Sequence, residues 1–242
     1  MRNNDYDSFF NDEPDRYVRV QKRRTYARDI AAQLERQGEI LTPAVAHGKN
    51  IANQFWGRAW CHAIDEWQDC AYRLPGGRSL LKNGGVIDLK ISRNSVIARV
   101  AADQVYDVQL HYRDADPYSV AELRSQCAGK LTGLLDFIQG KLSEEVMQYI
   151  CNPVYGLFPE YGDFKISCTC LDDAVLCRHA AAALYAVATR LDDEPELFFT
   201  LRGIDAKDFF EAEDILTQTG SNSAEGLSAD ELSKTFGIDI EL

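Results

Sequence analysis

Between Ser167 and His179 the chain reads Ser-Cys-Thr-Cys-Leu-Asp-Asp-Ala-Val-Leu-Cys-Arg-His, which places Cys168, Cys170, Cys177 and His179 in a CxCx6CxH array. Three thiolates and one imidazole are the donor set of a closed tetrahedral zinc site. Such a site leaves no coordination position open to water, so it holds a fold together rather than turning over a substrate. One structural Zn2+ is the cofactor expected here. The spacing also constrains the backbone. Zinc–sulfur bonds of about 2.3 Å bring sulfurs to roughly 4 Å from one another, whereas residues i and i+2 of a straight strand lie about 7 Å apart. Cys168 and Cys170 are therefore expected where a strand bends. Residues i and i+2 do not face each other on a helix, so Cys177 must precede the first full turn and His179 must open a helix. The run Ala180 to Leu191 is rich in helix formers, with Leu184, Val187, Ala188 and Leu191 on one stripe. The positive end of that helix and Arg178 both favour thiolates.

The remaining cysteines behave differently. Cys61, Cys70, Cys127 and Cys151 are solitary and sit in apolar, helical contexts, the pattern of small core residues. A disulfide framework is not expected, because the cysteine count of seven is odd, the chain is long and no secretory apolar region follows Met1. A reducing, cytoplasmic compartment is the expectation.

The CxC…CxH array followed at once by an alanine-rich helix resembles the SWIM zinc finger, a ββα module of bacterial Swi/Snf-type helicase systems, transposases and recombination accessory proteins. Phe55-Trp-Gly-Arg-Ala-Trp60, Arg73-Leu-Pro-Gly-Gly-Arg78, Asn83-Gly-Gly85, Gly156-Leu-Phe-Pro159 and the stretch from Pro195 to Gly203 are similar to small bacterial SWIM-finger proteins often encoded beside such helicases. Many SWIM fingers have proline after the second cysteine and lysine between the last two ligands, where this chain has Leu171 and Arg178. Neither departure removes a ligand. The resemblance implies a Swi/Snf-type helicase or ATPase as partner, with DNA as a second candidate partner.

Hydrophobic residues make up 45% of the chain, and no apolar run approaches the roughly 18 residues of a membrane span. A net charge of -12 would argue against nucleic acid were it evenly spread. Fourteen acids against three bases lie from Asp192 onward, however, and residues 1 to 191 are close to neutral. A basic surface can coexist with an acidic tail.

The fold class expected is α+β: a three-stranded antiparallel meander with packed helices, followed by a ββα-type finger. Four parts are expected: 1–49, an acidic then basic arm running into a helix from Tyr26 to Arg36; 50–155, the α+β domain; 156–203, the finger with its helix; and 204–242, an acidic tail ending in an amphipathic motif around Leu227, Leu232, Phe236, Ile238 and Ile240. Asn53 to Tyr72, with Trp56, Trp60, Ile64 and Trp67 at helical spacing, predicts one amphipathic helix. Val86 to Ile91, Ser95 to Val100 and Val105 to Tyr112 alternate in polarity as strands, with a turn at Arg93-Asn94. Further helices are expected from Val120 to Cys127, Leu131 to Ile138 and Ser143 to Cys151, before Asn152-Pro153 breaks the pattern.

Two basic sets are candidates for phosphate or DNA contact: Arg16, Arg19, Lys22, Arg23, Arg24 and Arg28 near the start, and Arg73, Arg78, Lys82 and Arg93, with Lys90 and Arg99, around the Gly-rich connection and meander. No GxxxxGK[ST] loop is present. His47, His62 and His111 are isolated, and His62 beside Cys61 reads as part of the aromatic packing, so no catalytic residues are expected. The sequence thus predicts a zinc-binding, non-enzymatic accessory protein that meets DNA, a Swi/Snf-type ATPase or both, with no membrane and no small-molecule substrate. A pure protein-interaction adaptor is the alternative.

Overall fold

The computed structural model describes residues 13–46, 48–127, 130, 134–152 and 156–205. His47, the acidic start and the acidic tail with its amphipathic end lie outside the described residues.

Polarity alternation builds the sheet. β1 (Val86–Ser92), β2 (Ser95–Ala101) and β3 (Val105–Tyr112) form the expected meander, and the chain turns from β1 into β2 at Asn94, whose φ of 57° suits asparagine. Val96, Ala98 and Val100 of β2 and Val108, Leu110 and Tyr112 of β3 point into the core. A fourth strand, β4 (Phe164–Cys168), lies antiparallel to β3, so the sheet has four strands in the order β1-β2-β3-β4. Val108 pairs with Cys168 and Tyr112 with Phe164. The expected α+β class holds, with four strands in the sheet where three were expected: the finger strand joins the meander, taking β3 as its partner. Without β4, the β3 edge would present a row of unpaired backbone groups.

α7 (Arg178–Asp193) crosses this sheet. From His179 to Thr189 it is buried on every side, so the expected one-sided stripe is in fact a helix enclosed all round. Its alanines permit close approach. On one flank α2 (Phe55–Asp65) packs through Gly57, and on another α3 (Leu74–Lys82) packs through Gly77. A Cβ at Gly77 would sit 2.5 Å from Ala181 Cβ and 2.7 Å from its carbonyl carbon, and one at Gly57 would sit 2.5 Å from the Ala188 oxygen. The helix expected from Asn53 to Tyr72 instead stops at Asp65 and is followed by a 3-10 turn at Gln68–Cys70; α3 begins only at Leu74, and Gly76-Gly77 lies inside it rather than in a loop. Pro75 fits the first turn of α3, where its missing N–H is not needed. We expect Gly77→Ala to lower stability in urea denaturation of the zinc-loaded protein. Overpacking against backbone costs about 1–3 kcal/mol, more than the roughly 1 kcal/mol that helix propensity returns. An unchanged midpoint would disprove the close-approach account.

Asp192, near the end of α7, ties this packing to the start of α2 by accepting from the backbone N–H groups of Asn53 (2.5 Å) and Gln54 (3.0 Å). Aromatics fill the space behind. Trp56 and Trp60 are fully buried, and their indole N–H groups donate to the carbonyls of Ile138 (2.7 Å) and Leu184 (2.8 Å). Phe158, Phe198 and Phe199 close around Trp56, the last two carried by α8 (Leu197–Arg202). α4 (Pro117–Cys127), α5 (Leu134–Ile138) and α6 (Glu144–Ile150) follow β3 within a few residues of their expected bounds. α6 opens on Ser143, whose hydroxyl caps the Val146 N–H.

The opposite face of the sheet carries α1 (Glu13–Arg36), whose Ala27 packs on Ile87 and Ala101. The chain leaving α1 is fastened by Asp88 of β1. Burial opposes ionisation of this carboxylate, but the N–H and hydroxyl of Thr42 (3.0 and 2.9 Å) and the Arg99 guanidinium (3.1 Å) hold its pKa below the usual range. Of the solitary cysteines, Cys70 is buried and Cys61 half-buried as expected, whereas Cys151 is exposed just past α6. His62 does not join the aromatic packing either, since it is exposed and lies 3.9 Å from Glu66.

Candidate metal centre

The ladder between β3 and β4 delivers the first ligand. It continues one residue past the strand, with Thr169 N–H donating to the Asp107 carbonyl (3.1 Å) and Asp107 N–H donating to the Thr169 hydroxyl (3.0 Å). Cys168 is thus held at the strand end and Cys170 lies in the bend after it, as coordination geometry requires. The other pair comes from the start of α7. Cys177 is its N-cap, with extended backbone (φ -85°, ψ 166°), and its sulfur accepts from the Ala180 N–H at 3.3 Å. His179 lies in the first turn.

The four donor atoms come together. Cys168 Sγ is 3.9 Å and Cys177 Sγ 4.0 Å from His179 Nδ1, and all four ligand atoms lie within 4.8 Å of one another. Bond lengths of about 2.3 Å to sulfur and 2.0 Å to nitrogen place tetrahedral donors roughly 3.5–3.8 Å apart. The site therefore takes one zinc ion with a slight contraction, and its donor set makes that zinc structural. Burial pushes the Cys168 and Cys177 thiols up, with the neighbouring thiols contributing, so they stay protonated until a metal displaces the protons. Burial, then Arg178, pushes His179 down to about 4, which leaves the imidazole neutral and fit to ligate.

Around the ligands lies a supporting layer. The Tyr106 ring stacks on the His179 imidazole (centroids 3.9 Å apart, planes at 19°), and its hydroxyl donates to Asp103 at 3.0 Å. Arg178 reaches the same carboxylate at 3.0 Å. The connection between the two ligand pairs is fastened to α3 through Asp172, which accepts from the Ala174 N–H (3.2 Å) and from Arg73 (2.8 Å). Leu171 and Val175 of this connection stand in solvent, 100% and 70% exposed. Tyr106 and Asp103 carry no local signal as support for the metal, because it is the packing of α7 on the sheet that brings them to His179 and Arg178.

The basic candidates separate into groups. Arg16 and Arg19 lie on α1, and their side chains are outside the described residues. Lys22, Arg23, Arg24 and Arg28 are exposed on the same helix, Arg28 with Asp29 at 3.7 Å. Arg24 donates to the Asn83 side chain at 2.8 Å. Arg73 pairs with Asp172, Arg78 with Asp65, Arg93 with Asp114 at 4.0 Å, Lys90 with Asp88, and Arg99 with both Asp88 and Glu39. The Lys82 ammonium donates to the Lys49 carbonyl at 2.6 Å. Two further cations, Lys49 and Arg58, share a cleft with Arg78 and Lys82. Nothing in the sequence marked them, since they sit apart and in no basic run.

Residues 154–188 match the SWIM zinc finger family, a span that holds all four ligands and most of α7. Over 179 residues the chain is 25% identical to Uncharacterized protein Rv2102 of Mycobacterium tuberculosis, covering 73% of this chain and 62% of that protein. No solved structure matches.

Proposed function

We propose that this is a non-enzymatic, cytoplasmic accessory protein that binds the DNA backbone and attaches to a Swi/Snf-type DNA-dependent ATPase, helping to recruit, position or regulate it. The observation that carries the DNA half is the joining of the basic sets. Arg24 on α1 is bonded to Asn83, the residue after Lys82, so the exposed cations of α1 abut those at the end of α3. Phosphate contact is the chemistry such a surface offers. The ATPase half rests on the likeness to SWIM-finger proteins. Zinc sets the geometry without entering a reaction. Among the described residues, no helix is long and apolar enough to cross a membrane.

Fluorescence anisotropy of the zinc-loaded protein with single-stranded and duplex DNA across a salt series tests the proposal. Log affinity is expected to fall linearly with log salt. A second role, as a pure protein adaptor, is favoured by the exposed Leu171 and Val175 beside the metal. Absence of DNA binding together with a salt-insensitive complex with the ATPase would decide for it.

A further inference from the structure

Between residues 49–53, α2 and α3 lies an open cleft of about 660 Å3. Its charges fall into two classes. Asp65 is used internally, bonded to both Arg78 and the Tyr185 hydroxyl, so the Arg78 and Asp65 charges offset each other. Lys49, Arg58 and Lys82 are different: no carboxylate pairs with any of them among the described residues. Three cations converging on one concave, polar surface repel one another, and an anion entering the cleft relieves that repulsion. The backbone N–H groups of Asn53 and Gln54 are already taken by Asp192, leaving the cationic side chains to hold such an anion.

The lining also says which part of a nucleic acid would fit. Base recognition by stacking needs an exposed aromatic face; Tyr185 is fully buried with the Arg78 guanidinium over it at 5.0 Å, and the exposed ring lining the cleft is the single imidazole of His62, beside Glu66. Lysine and arginine on an open surface contact phosphates chiefly, and such contacts position a strand without reading its sequence. The cleft is continuous with the basic face of α1 through Lys82, Asn83 and Arg24.

We infer that this cleft seats the phosphodiester backbone of a nucleic-acid strand on Lys49, Arg58 and Lys82, with the strand running on towards Arg24 of α1. This rests on the proposed DNA-binding function and assigns its principal contacts. The test uses the full zinc-loaded chain with an oligothymidylate and a duplex across a salt series, comparing wild type with the triple variant Lys49→Gln, Arg58→Gln, Lys82→Gln. Each cation contacting a phosphate contributes about one unit to the salt slope. The triple variant should therefore show a slope shallower by roughly 2–3 units and at least about tenfold weaker binding at low salt. Arg58→Glu alone should also weaken binding. Arg58 is exposed and outside the core, so this single change serves even if the triple variant folds poorly, with zinc content and melting temperature as controls. Wild-type binding that neither variant weakens would overturn the cleft assignment and leave the proposed function standing. Absence of wild-type binding would overturn both.

Discussion

Replacing Cys177 by alanine is expected to abolish zinc binding and to destabilise the protein as a whole, not merely to loosen one connection. Cys177 supplies a sulfur to the metal site and also accepts the Ala180 N–H as N-cap of α7. The magnitudes separate these roles. Losing a cap costs about 1 kcal/mol, whereas zinc contributes on the order of 10 kcal/mol of folding free energy in small fingers. That is comparable to the roughly 5–15 kcal/mol that stabilises a typical domain. The effect spreads because the helix that zinc nucleates is the centre of the core, enclosed by the sheet, α2 and α3. Cys177→Ser, whose hydroxyl can still cap the helix, should therefore be nearly as damaging as Cys177→Ala. Metal analysis and thermal unfolding on the same samples would show both variants without zinc and with no cooperative transition near that of wild type. Cys127→Ser and Cys151→Ser should keep one zinc per chain, since Cys168, Cys170, Cys177 and His179 already make up a four-donor set. If Cys177→Ala also kept one zinc per chain, the ligand assignment would be wrong.

The metal site was legible in the sequence because coordination chemistry constrains backbone over a few residues. The bend after Cys168 and the helix start at Cys177 follow from spacing alone, and both are found. The three strands of the meander were legible for a similar reason, since alternation is a local pattern. The partner of β4 was not, because Phe164–Cys168 pairs with β3, more than 50 residues earlier, and nothing local names that edge. Leu74-Pro-Gly-Gly77 looks like a turn on propensity, and the helix forms there because only glycine lets α3 approach Ala181 so closely. Tertiary contact overrides local preference at that point. The cleft was invisible for the same reason as β4: Lys49, Arg58 and Lys82 meet only once α2 and α3 are both in place.

Zinc affinity should rise steeply with pH, and the metal-free protein should respond to pH in the opposite sense at the alkaline end. Burial raises the folded-state pKa of the Cys168 and Cys177 thiols, so zinc entering near neutral pH must displace about two protons from them. Each displaced proton changes affinity about tenfold per pH unit, so these two thiols should lower the apparent affinity about a hundredfold for each unit of acidification. His179, with a pKa near 4, adds a further competing proton only in strongly acidic solution. For the metal-free fold the signs separate. A thiol whose folded pKa is raised contributes stability that is present below its unfolded value, about 8.5, and is lost as pH rises through the folded value. A histidine whose folded pKa is depressed contributes stability that is present above about 6.5 and is lost as pH falls through about 4. Metal-free protein should therefore be most stable between these limits, while the zinc-loaded form keeps gaining on it towards alkaline pH. A chromophoric chelator competition run from pH 6 to 8 reads the first effect, and melting with and without zinc over a wider range reads the second. A slope of one proton or fewer would mean that at least one of these two thiols is already a thiolate before metal arrives, and that burial does not govern its charge.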